Sequence, residues 1–291
     1  MPARLLDGES LAARIRERLS AEVAELRRAG VTPGLGTILV GDDTASARYV
    51  AMKHSDSGAV GILSVHEQLS ADASQEELER VIAGFNTDPA IDAYLVQLPL
   101  PGHLDADRAL LAVDPAKDAD GLHPVNLGRL VMGAPGPIPC TPQGIVELLA
   151  AHEVPVEGRH VVVIGRGLTI GRPLALLLAL KRPGCNAAVT VVHTGVPDLA
   201  EHVRRADVVV AAAGRAGLVT RQMVRPGAAV VGAGVSFAGR RLLSDVEEDV
   251  AEVAGWVTPR IGGVGPMTRA ELLVNTVAAA RRRAGVIRAA G

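Results

Sequence analysis

Aromatic residues and cysteines are scarce in this chain of 291 residues. Phe, Trp and Tyr together make up 2% of the sequence, too little for the stacking platforms of proteins that bind single-stranded nucleic acid. The cysteines are Cys140 and Cys185, which cannot build a disulfide framework or a metal site with cysteine spacing. We therefore expect a reducing compartment and no bound metal.

A dominant charge sign and a long apolar run are also missing. Thirty Lys and Arg residues nearly balance 32 Asp and Glu residues, and a formal net charge of -2 argues against a dedicated nucleic-acid or membrane-surface binder. The first residues mix arginines with acidic residues instead of forming an apolar leader, and no stretch is long enough to span a bilayer. We expect a cytoplasmic protein without nucleic-acid or membrane partners.

Apolar periodicity predicts alternating helices and strands in both halves of the chain. In the first half we predict helices over 10–29, 43–58 and 74–85 and strands over 36–41, 61–65 and 93–98. In the second half we predict strands over 160–164, 188–192, 207–211 and 228–231. This alternation is typical of βαβ units, so the predicted fold class is α/β, with two α/β domains and a Rossmann-like second domain.

Proline, glycine and helix-capping residues indicate where the predicted elements and domains begin and end. Residues 113–140 are rich in Pro, Gly and Asp and suggest a long functional loop. Thr141-Pro142 resembles the start of a helix that links two domains, and Thr268–Glu271 resembles a capping box that opens a last helix. We predict an N-terminal domain over 1–140 completed by a C-terminal helix over 268–291, and a second domain over 141–267.

The predicted strand over 160–164 runs into a glycine-rich turn, Gly165-Arg166-Gly167-Leu-Thr169-Ile-Gly171. Glycines in such a turn let the backbone approach a pyrophosphate at the N-terminus of the following helix. The spacing is one residue longer than the usual dinucleotide fingerprint. A glycine-rich turn that binds no ligand is therefore the alternative interpretation.

The charge around this turn favours NADP over NAD. NAD-binding proteins usually carry an acidic residue after the second strand, where it holds the ribose 2′-hydroxyl. Here that strand ends in Val192 and is followed by His193 and Thr194. Arg166 lies in the turn and Arg172 is near it, so an extra phosphate would meet positive charge; the alternative is that Arg166 is a solvated loop residue.

Four polar residues are predicted to share one crevice. Tyr49 and Lys53 lie four apart, on one face of a helix that starts at the carboxyl end of a strand, where ligands bind in open α/β sheets. Gln97 ends another strand, and Asp120 lies in a loop before Gly121. Each has a simpler explanation taken alone: a partly buried tyrosine, a solvated lysine, a hydrogen bond at a strand end and a turn-forming aspartate.

Long segments around these residues resemble the bifunctional methylenetetrahydrofolate dehydrogenase/cyclohydrolases. They occur in the family's order and spread over nearly the whole chain. They are Gly41-Asp-Asp-Thr-Ala-Ser-Ala-Arg-Tyr49-Val-Ala-Met-Lys53, Gln97-Leu-Pro-Leu-Pro-Gly-His103, Pro115-Ala-Lys-Asp-Ala-Asp120-Gly-Leu-His-Pro124, Pro139-Cys-Thr-Pro142 and Gly262-Gly-Val-Gly-Pro-Met-Thr268.

The resemblance implies a function and a site. NADP⁺ would oxidise 5,10-methylenetetrahydrofolate to 5,10-methenyltetrahydrofolate, and water would convert that cation to 10-formyltetrahydrofolate, in a folate cleft between the two domains of a homodimer subunit. Lys53 would be the acid/base group, with Tyr49 orienting the folate, Gln97 tuning Lys53 and Asp120 gripping the pterin. Further folate contacts would come from Leu98, Gly262 and Pro266. Cofactor contacts would come from Gly165, Arg166, Gly167, Thr169, Gly171, His193, Thr194 and Val235.

The sequence departs from the commoner family pattern at three places. Gly167 replaces a serine after the loop arginine, which puts one phosphate contact in doubt. Gly232 stands where many members have Asp, and Arg260-Ile261 replaces Val-Pro before the Gly-Gly pair. None of these changes involves the four predicted catalytic residues.

Two other function classes share features with this sequence. Short-chain dehydrogenases also have a Tyr and a Lys four apart, but there the pair follows the nucleotide fingerprint, whereas here it precedes it. A folate- or nucleotide-binding protein without catalysis is the second alternative, and the presence of Lys53 and Asp120 argues against it. An absorbance assay for methenyltetrahydrofolate formation separates enzyme from binder.

Overall fold

The structure is a computed structural model that describes residues 3–239 and 241–285. Its α-helices are α1 (Gly8–Arg28), α2 (Thr44–Val60), α3 (Gln75–Thr87), α4 (Ala106–Ala112), α5 (Pro124–Met132), α6 (Cys140–Ala151), α7 (Gly171–Ala179), α8 (Leu199–Arg204) and α9 (Val264–Arg283). Its strands are β1 (Arg4–Leu5), β2 (Gly34–Val40), β3 (Leu63–Leu69), β4 (Ala93–Val96), β5 (His160–Ile164), β6 (Ala188–Val192), β7 (Val208–Ala211), β8 (Ala229–Gly232), β9 (Val235–Ala238), β10 (Arg241–Ser244) and β11 (Trp256–Val257). Within the described ranges, no helix combines the length and the apolar character needed to cross a membrane.

The chain divides into two compact units, each with its own sheet. The six-stranded unit contains the described N-terminal residues through Ala12 together with Pro139–Thr268, and the three-stranded unit contains Ala13–Ile138 and the chain from Arg269 onward. The start of the chain belongs to the six-stranded unit because β1 pairs in parallel with β11. Residues 3–12 therefore lie outside the unit that holds most of the predicted N-terminal domain.

The three-stranded unit is built on a parallel sheet in the order β3-β2-β4. Every residue of β2 is buried, as expected for a central strand that is covered on both faces. Leu78, Ile82 and Phe85 of α3 pack with Tyr94 of β4, and the Phe85 and Tyr94 rings meet edge to face with centroids 5.3 Å apart. A packed core thus fixes β2 and β4, whose carboxyl ends carry the residues predicted to bind the substrate.

The six-stranded unit has a parallel sheet in the order β1-β11-β8-β7-β5-β6. The sequence continues from β5 to β6 on one side and then to β7 on the other, so the order reverses beside β5. In doubly wound folds this reversal opens the crevice that binds dinucleotides. The predicted α/β class, with mostly parallel sheets and a Rossmann-like second half, is confirmed.

Several predicted boundaries are wrong for local reasons. Residues 113–140 are not one loop, because α5 begins there with Pro124 in its first turn and with the His123 ring accepting a hydrogen bond from the Val125 N–H. Helix α6 already includes Thr141 and begins at Cys140, and α9 begins at Val264. Thr268 therefore does not cap α9; its hydroxyl donates back to the Val264 carbonyl inside the helix. The β9–β10 hairpin was not predicted at all.

Candidate active site

Tyr49 and Lys53 lie one turn apart on α2, which follows β2 directly. The Asp43 side chain caps the helix by accepting from the Ser46 N–H, so α2 begins close to the carboxyl end of that strand. The Lys53 side chain is buried, with 3% of its surface exposed. Its Nζ lies 4.9 Å from the centroid of the partly buried Tyr49 ring, a cation–π arrangement.

Gln97 directly follows β4, and its side chain contacts Lys53. Its backbone N–H donates to the carbonyl of Ile38 on β2, which extends the sheet pairing by one residue beyond the strand. Lys53 Nζ donates to Gln97 Oε1 at 3.1 Å, and Gln97 Nε2 donates to the Leu98 carbonyl at 2.7 Å. The Leu98 contact fixes the amide so that its oxygen faces Lys53, and the structure therefore brings Tyr49, Lys53, Gln97 and Leu98 together.

The surroundings of Lys53 are unusual for a buried ammonium. Among the described residues its polar contacts are a neutral carbonyl oxygen and an aromatic face, and no carboxylate lies within ion-pairing distance. Burial disfavours a charged group unless it is compensated. Lys53 therefore takes part in no structural ion pair between described residues.

Lys53 also affects its neighbour on α2. Burial first, and then the charges of His66 and Lys53, lower the pKa of His54 below its usual value. The His54 ring is hydrogen-bonded to Ser64 through Nδ1 and to Thr37 through Nε2, and Thr37 also bonds His66 Nδ1. A neutral imidazole, with one donor and one acceptor nitrogen, is the form that this chain of partners favours.

Asp120 lies on a segment that runs alongside β4. Tyr94 and Asp118 form a parallel bridge, so Asp120 follows Asp118 in the direction in which Val96 follows Tyr94. Asp120 is therefore at the carboxyl end of this sheet, and its side chain is partly buried.

Asp118 holds the backbone around Asp120, and the sequence interpretation missed it. Its buried carboxylate accepts from the N–H groups of Gly121, Leu122 and His123 and from Asn126 Nδ2. Asn275 Nδ2 also donates to the Ala119 carbonyl. The Asp-Ala-Asp-Gly sequence carried a signal, since an aspartate three residues before a glycine often folds a turn around its own side chain.

The glycine-rich turn in the six-stranded unit has the close packing that a dinucleotide site needs. Gly165 has φ +117°, and a Cβ there would lie 2.3 Å from the Ala212 carbonyl oxygen. A Cβ on Gly171 would lie 2.2 Å from the Gly165 carbonyl oxygen. Both positions exclude any side chain, and α7 begins at Gly171 without a side-chain cap, so this turn and helix start fit a bound pyrophosphate.

The cations beside the turn are exposed. Arg166, Gly167 and Thr169 are all exposed, and Arg172 Nε donates to the Arg166 carbonyl at 3.0 Å. A Cβ on Gly167 would meet nothing within 4 Å, so packing does not require glycine there and a serine would fit. The family's serine contact is thus absent by residue choice and not because the backbone excludes it.

The residues that directly follow β6 are His193 and Thr194. His193 Nδ1 accepts from the Gly195 N–H at 3.0 Å, and the Thr194 side chain is exposed. No carboxylate within the described residues 193–197 follows the strand. The role of these residues in a preference for NADP stays a prediction.

The remaining predicted contacts also belong to the six-stranded unit. Val235 begins β9 and is 47% exposed. Gly262 has φ +86°, and its carbonyl accepts from the Glu9 N–H. Pro266 is buried in the first turn of α9, which leaves less of its side chain for a ligand than the resemblance implied.

Two departures from the family pattern have structural counterparts. A Cβ on Gly232 would lie 2.7 Å from Ser244 Oγ, so Ser244 occupies the space that a larger residue at 232 would need. Arg260 Nη1 donates to the Leu242 carbonyl at 2.8 Å and thereby ties the β9–β10 hairpin to the segment before α9.

Comparison with known proteins identifies one family along the chain. Residues 6–120 match the family described as tetrahydrofolate dehydrogenase/cyclohydrolase, catalytic domain, and residues 139–284 match its NAD(P)-binding domain. "Bifunctional protein FolD 1" of Salinispora tropica is 58% identical over 96% of this chain and 92% of its own length. "Bifunctional protein FolD" of Syntrophotalea carbinolica is 55% identical over 98% of both chains. Among solved structures, the methylenetetrahydrofolate dehydrogenase-cyclohydrolase of Trypanosoma brucei, complexed with NADP and an inhibitor, is 41% identical with a TM-score of 0.93, covering 98% of this chain and 99% of that chain.

Proposed function

The chain belongs to the tetrahydrofolate dehydrogenase/cyclohydrolase family, and we propose that Tyr49, Lys53, Gln97 and Asp120 carry its folate chemistry. The protein is a bifunctional enzyme of one-carbon metabolism that uses NADP. It oxidises 5,10-methylenetetrahydrofolate to 5,10-methenyltetrahydrofolate and hydrolyses the product to 10-formyltetrahydrofolate. We assign the folate chemistry to the three-stranded unit and NADP binding to the six-stranded unit, in line with the two matched family domains.

Lys53 is the proposed acid/base group of the hydrolysis. Water that attacks the methenyl carbon must lose a proton, and the ring nitrogen that leaves must gain one. An amine held by Gln97 and the Tyr49 ring, with no ion-paired carboxylate among the described residues, can serve both transfers. The net reaction releases one proton, because the methenyl substrate is a cation and the formyl product is neutral.

The other folate roles follow from side-chain chemistry. The Tyr49 ring offers a flat face against which a folate ring can stack. The Asp120 carboxylate can accept from the ring N–H and the amino group of a pterin, a charge-assisted pair that fixes orientation. The Leu98 carbonyl holds the Gln97 amide, and Gly262 and Pro266 are proposed as further contacts.

NADP is proposed to lie on the glycine-rich turn. Gly165, Gly167 and Gly171 would admit the pyrophosphate, and Arg166 with Thr169 would face the phosphates. His193 and Thr194 would border the ribose, and Val235 would border the nicotinamide. When bound, NADP⁺ would accept, on its nicotinamide ring, the hydride that leaves the folate methylene group.

The contact of Lys53 with Gln97 and Tyr49 carries this proposal, and an absorbance assay tests it. With methylenetetrahydrofolate and NADP⁺, the enzyme should form methenyltetrahydrofolate and then consume it. If methenyltetrahydrofolate appears but its loss is not accelerated, the proposed cyclohydrolase activity is contradicted. If none appears, both activities are contradicted and the protein only binds its ligands.

The proposed NADP preference is tested at Arg166. Arg166→Ala should raise the KM for NADP far more than the KM for NAD, because only NADP carries the 2′-phosphate. Equal effects on both cofactors would show that Arg166 does not read that phosphate.

We also propose that the enzyme is a cytoplasmic homodimer, as the family resemblance implies. Strand β3 lies at the edge of its sheet, and its backbone offers a surface on which a second copy could pair. Light scattering at micromolar concentration should give twice the chain mass of 30.1 kDa; a mass of one chain would contradict the dimer.

A further inference from the structure

Asp245 is fully buried between two loops of the six-stranded unit. Its Oδ2 accepts from the N–H groups of Ala213 at 2.7 Å and Gly214 at 3.0 Å. The same oxygen lies so close to Gly234 that a Cβ there would be 2.0 Å from it. The Asp245 N–H donates to the Gly234 carbonyl at 3.2 Å, so one residue is bonded to both loops.

These two loops follow neighbouring parallel strands. Ala213 and Gly214 come after β7, and Gly234 comes after β8. The loop after β7 also packs on the glycine-rich turn, since it contains the Ala212 carbonyl that excludes a side chain from Gly165. Loops at this edge of a doubly wound sheet line the dinucleotide crevice, and β7 and β8 lie on the side of β5 opposite β6.

Burial of the Asp245 carboxylate costs free energy that its hydrogen bonds to the loop after β7 must offset. Its second oxygen, Oδ1, is buried and has no hydrogen-bond partner among the residues that the structure describes. Burying an unmatched polar atom costs free energy, so the two bonds to the β7 loop must offset that cost. Asp245 is not part of any ion pair between described residues that would give it another role.

We propose that Asp245 is a positioning residue for the nicotinamide half of NADP. It holds the loops after β7 and β8 in the conformation that receives this half, and it does so as a hydrogen-bond acceptor. The β6 side, with Arg166 and His193, receives the adenosine half and its 2′-phosphate independently. The inference rests on the NADP placement proposed above.

Two ligands separate these roles in a direct binding experiment. Adenosine 2′,5′-bisphosphate carries the adenine-side phosphate and lacks the nicotinamide half. By titration calorimetry, Asp245→Ala should bind NADP about tenfold more weakly, because two N–H groups lose their acceptor, and should bind the bisphosphate as the unmodified enzyme does. Asp245→Asn should restore NADP binding, since one amide oxygen can accept both N–H groups.

Hydrogen exchange supplies a readout that needs no cofactor. The amides of Ala213 and Gly214 should exchange faster in Asp245→Ala than in the unmodified chain and should regain protection in Asp245→Asn. Dehydrogenase kcat should follow the same order, with hydrolysis of added methenyltetrahydrofolate retained as evidence that the protein is folded.

Asp207, which is partly buried and ion-paired with Arg225, provides a control at the amino end of the same sheet. Its Oδ2 accepts from the His160 N–H at 2.9 Å, at the amino end of β5. Asp207→Ala should lower the melting temperature and leave the binding of both ligands unchanged.

The possible results are distinct. Equal weakening of both ligands in Asp245→Ala, unchanged NADP binding, or failure of Asp245→Asn to restore it would each overturn the inference. Arg166→Ala should weaken both ligands; if it weakens neither, the proposed placement of NADP fails, whatever Asp245 does.

Discussion

At the scale of single residues, the proposed chemistry depends on how the surrounding structure holds Lys53 and Asp120. Lys53 is buried against an amide oxygen and a ring, and Asp120 is held by a loop that Asp118 folds. A lysine without a carboxylate partner can exchange its proton, and a carboxylate on a fixed loop can orient a ligand. Lys53 is thus proposed for proton transfer and Asp120 for orienting the folate.

Asp120 is expected to anchor the pterin through its charge. Asp120→Asn keeps the shape of the side chain but loses the charge and one acceptor, so folate binding should weaken by about 1.5–3 kcal/mol. Both activities should fall together because both use the bound folate. Asp114→Asn is a control from the segment before Asp120, since the Asp114 carboxylate accepts from the N–H of Ala116 at 2.8 Å and is not among the residues proposed to bind folate. Unchanged folate affinity in Asp120→Asn would contradict the assignment.

His54 should make stability depend on pH. Its pKa is lowered in the folded protein from the usual 6.5, mainly by burial. The unfolded chain therefore binds the proton more readily, so the contribution of His54 to stability is complete above about pH 6.5 and is lost as pH falls below that value. The free energy of unfolding should drop more steeply between pH 7 and pH 5 in the unmodified protein than in His54→Asn. Parallel profiles for the two proteins would show that His54 does not contribute.

At the scale of elements, Gly232 at the end of β8 packs closely against Ser244 at the end of β10. Ser244 Oγ fills the space beside Gly232 and accepts from the Val246 N–H at 3.1 Å. A side chain at 232 must push this hydroxyl away and break that hydrogen bond. The glycine at a position where many family members have Asp is therefore coupled to the serine on the hairpin.

A double-mutant cycle measures this coupling. Gly232→Ala should destabilise the protein by about 1 kcal/mol, the value of the lost hydrogen bond. In the Ser244→Ala background the same change should be neutral or slightly stabilising, because alanine restricts the unfolded chain more than glycine does. Urea denaturation of the four proteins gives the comparison, and equal costs in both backgrounds would rule out the coupling.

Elements that follow a clear periodicity could be predicted from the sequence, whereas those defined by distant partners could not. The run from Val161 to Ile164 is apolar and is followed by Gly165, and it forms β5 (His160–Ile164) as predicted. By contrast, β1 has two residues and forms because β11 lies beside it. Thr268 has the sequence pattern of a cap, but α9 starts four residues earlier, so the local pattern was overridden by the packing around it.

The same limit applies to the candidate site. The spacing of Tyr49 and Lys53 predicted a shared helix face, and the structure shows the contact. Burial of Lys53 could not be read from its neighbours in sequence, since a lone lysine on a helix is usually solvated. Asp245 was missed because the loops that it joins, which contain Ala213 and Gly234, are separated from it along the chain.

At the scale of the whole molecule, the residues proposed for proton transfer and those proposed for NADP binding lie in different units. The residues proposed for proton transfer belong to the three-stranded unit, and those proposed for NADP belong to the six-stranded unit. Substitutions should therefore be able to separate the activities. Asp245→Ala should impair hydride transfer first, and a change at Lys53 should impair hydration first.

The central claim is that Lys53 moves protons in the hydrolysis, and the Lys53→Gln enzyme tests it most directly. The substituted amide has similar reach and can still donate to Gln97, but it cannot exchange protons usefully. General acid–base catalysis typically contributes about 10²–10⁴-fold, whereas hydride transfer needs no proton from the enzyme. Both activities should be measured on one preparation whose folding is checked by thermal melting. We predict that cyclohydrolase activity falls by about that factor and dehydrogenase activity falls much less; equal losses in the two activities, or retained cyclohydrolase activity, would contradict the account.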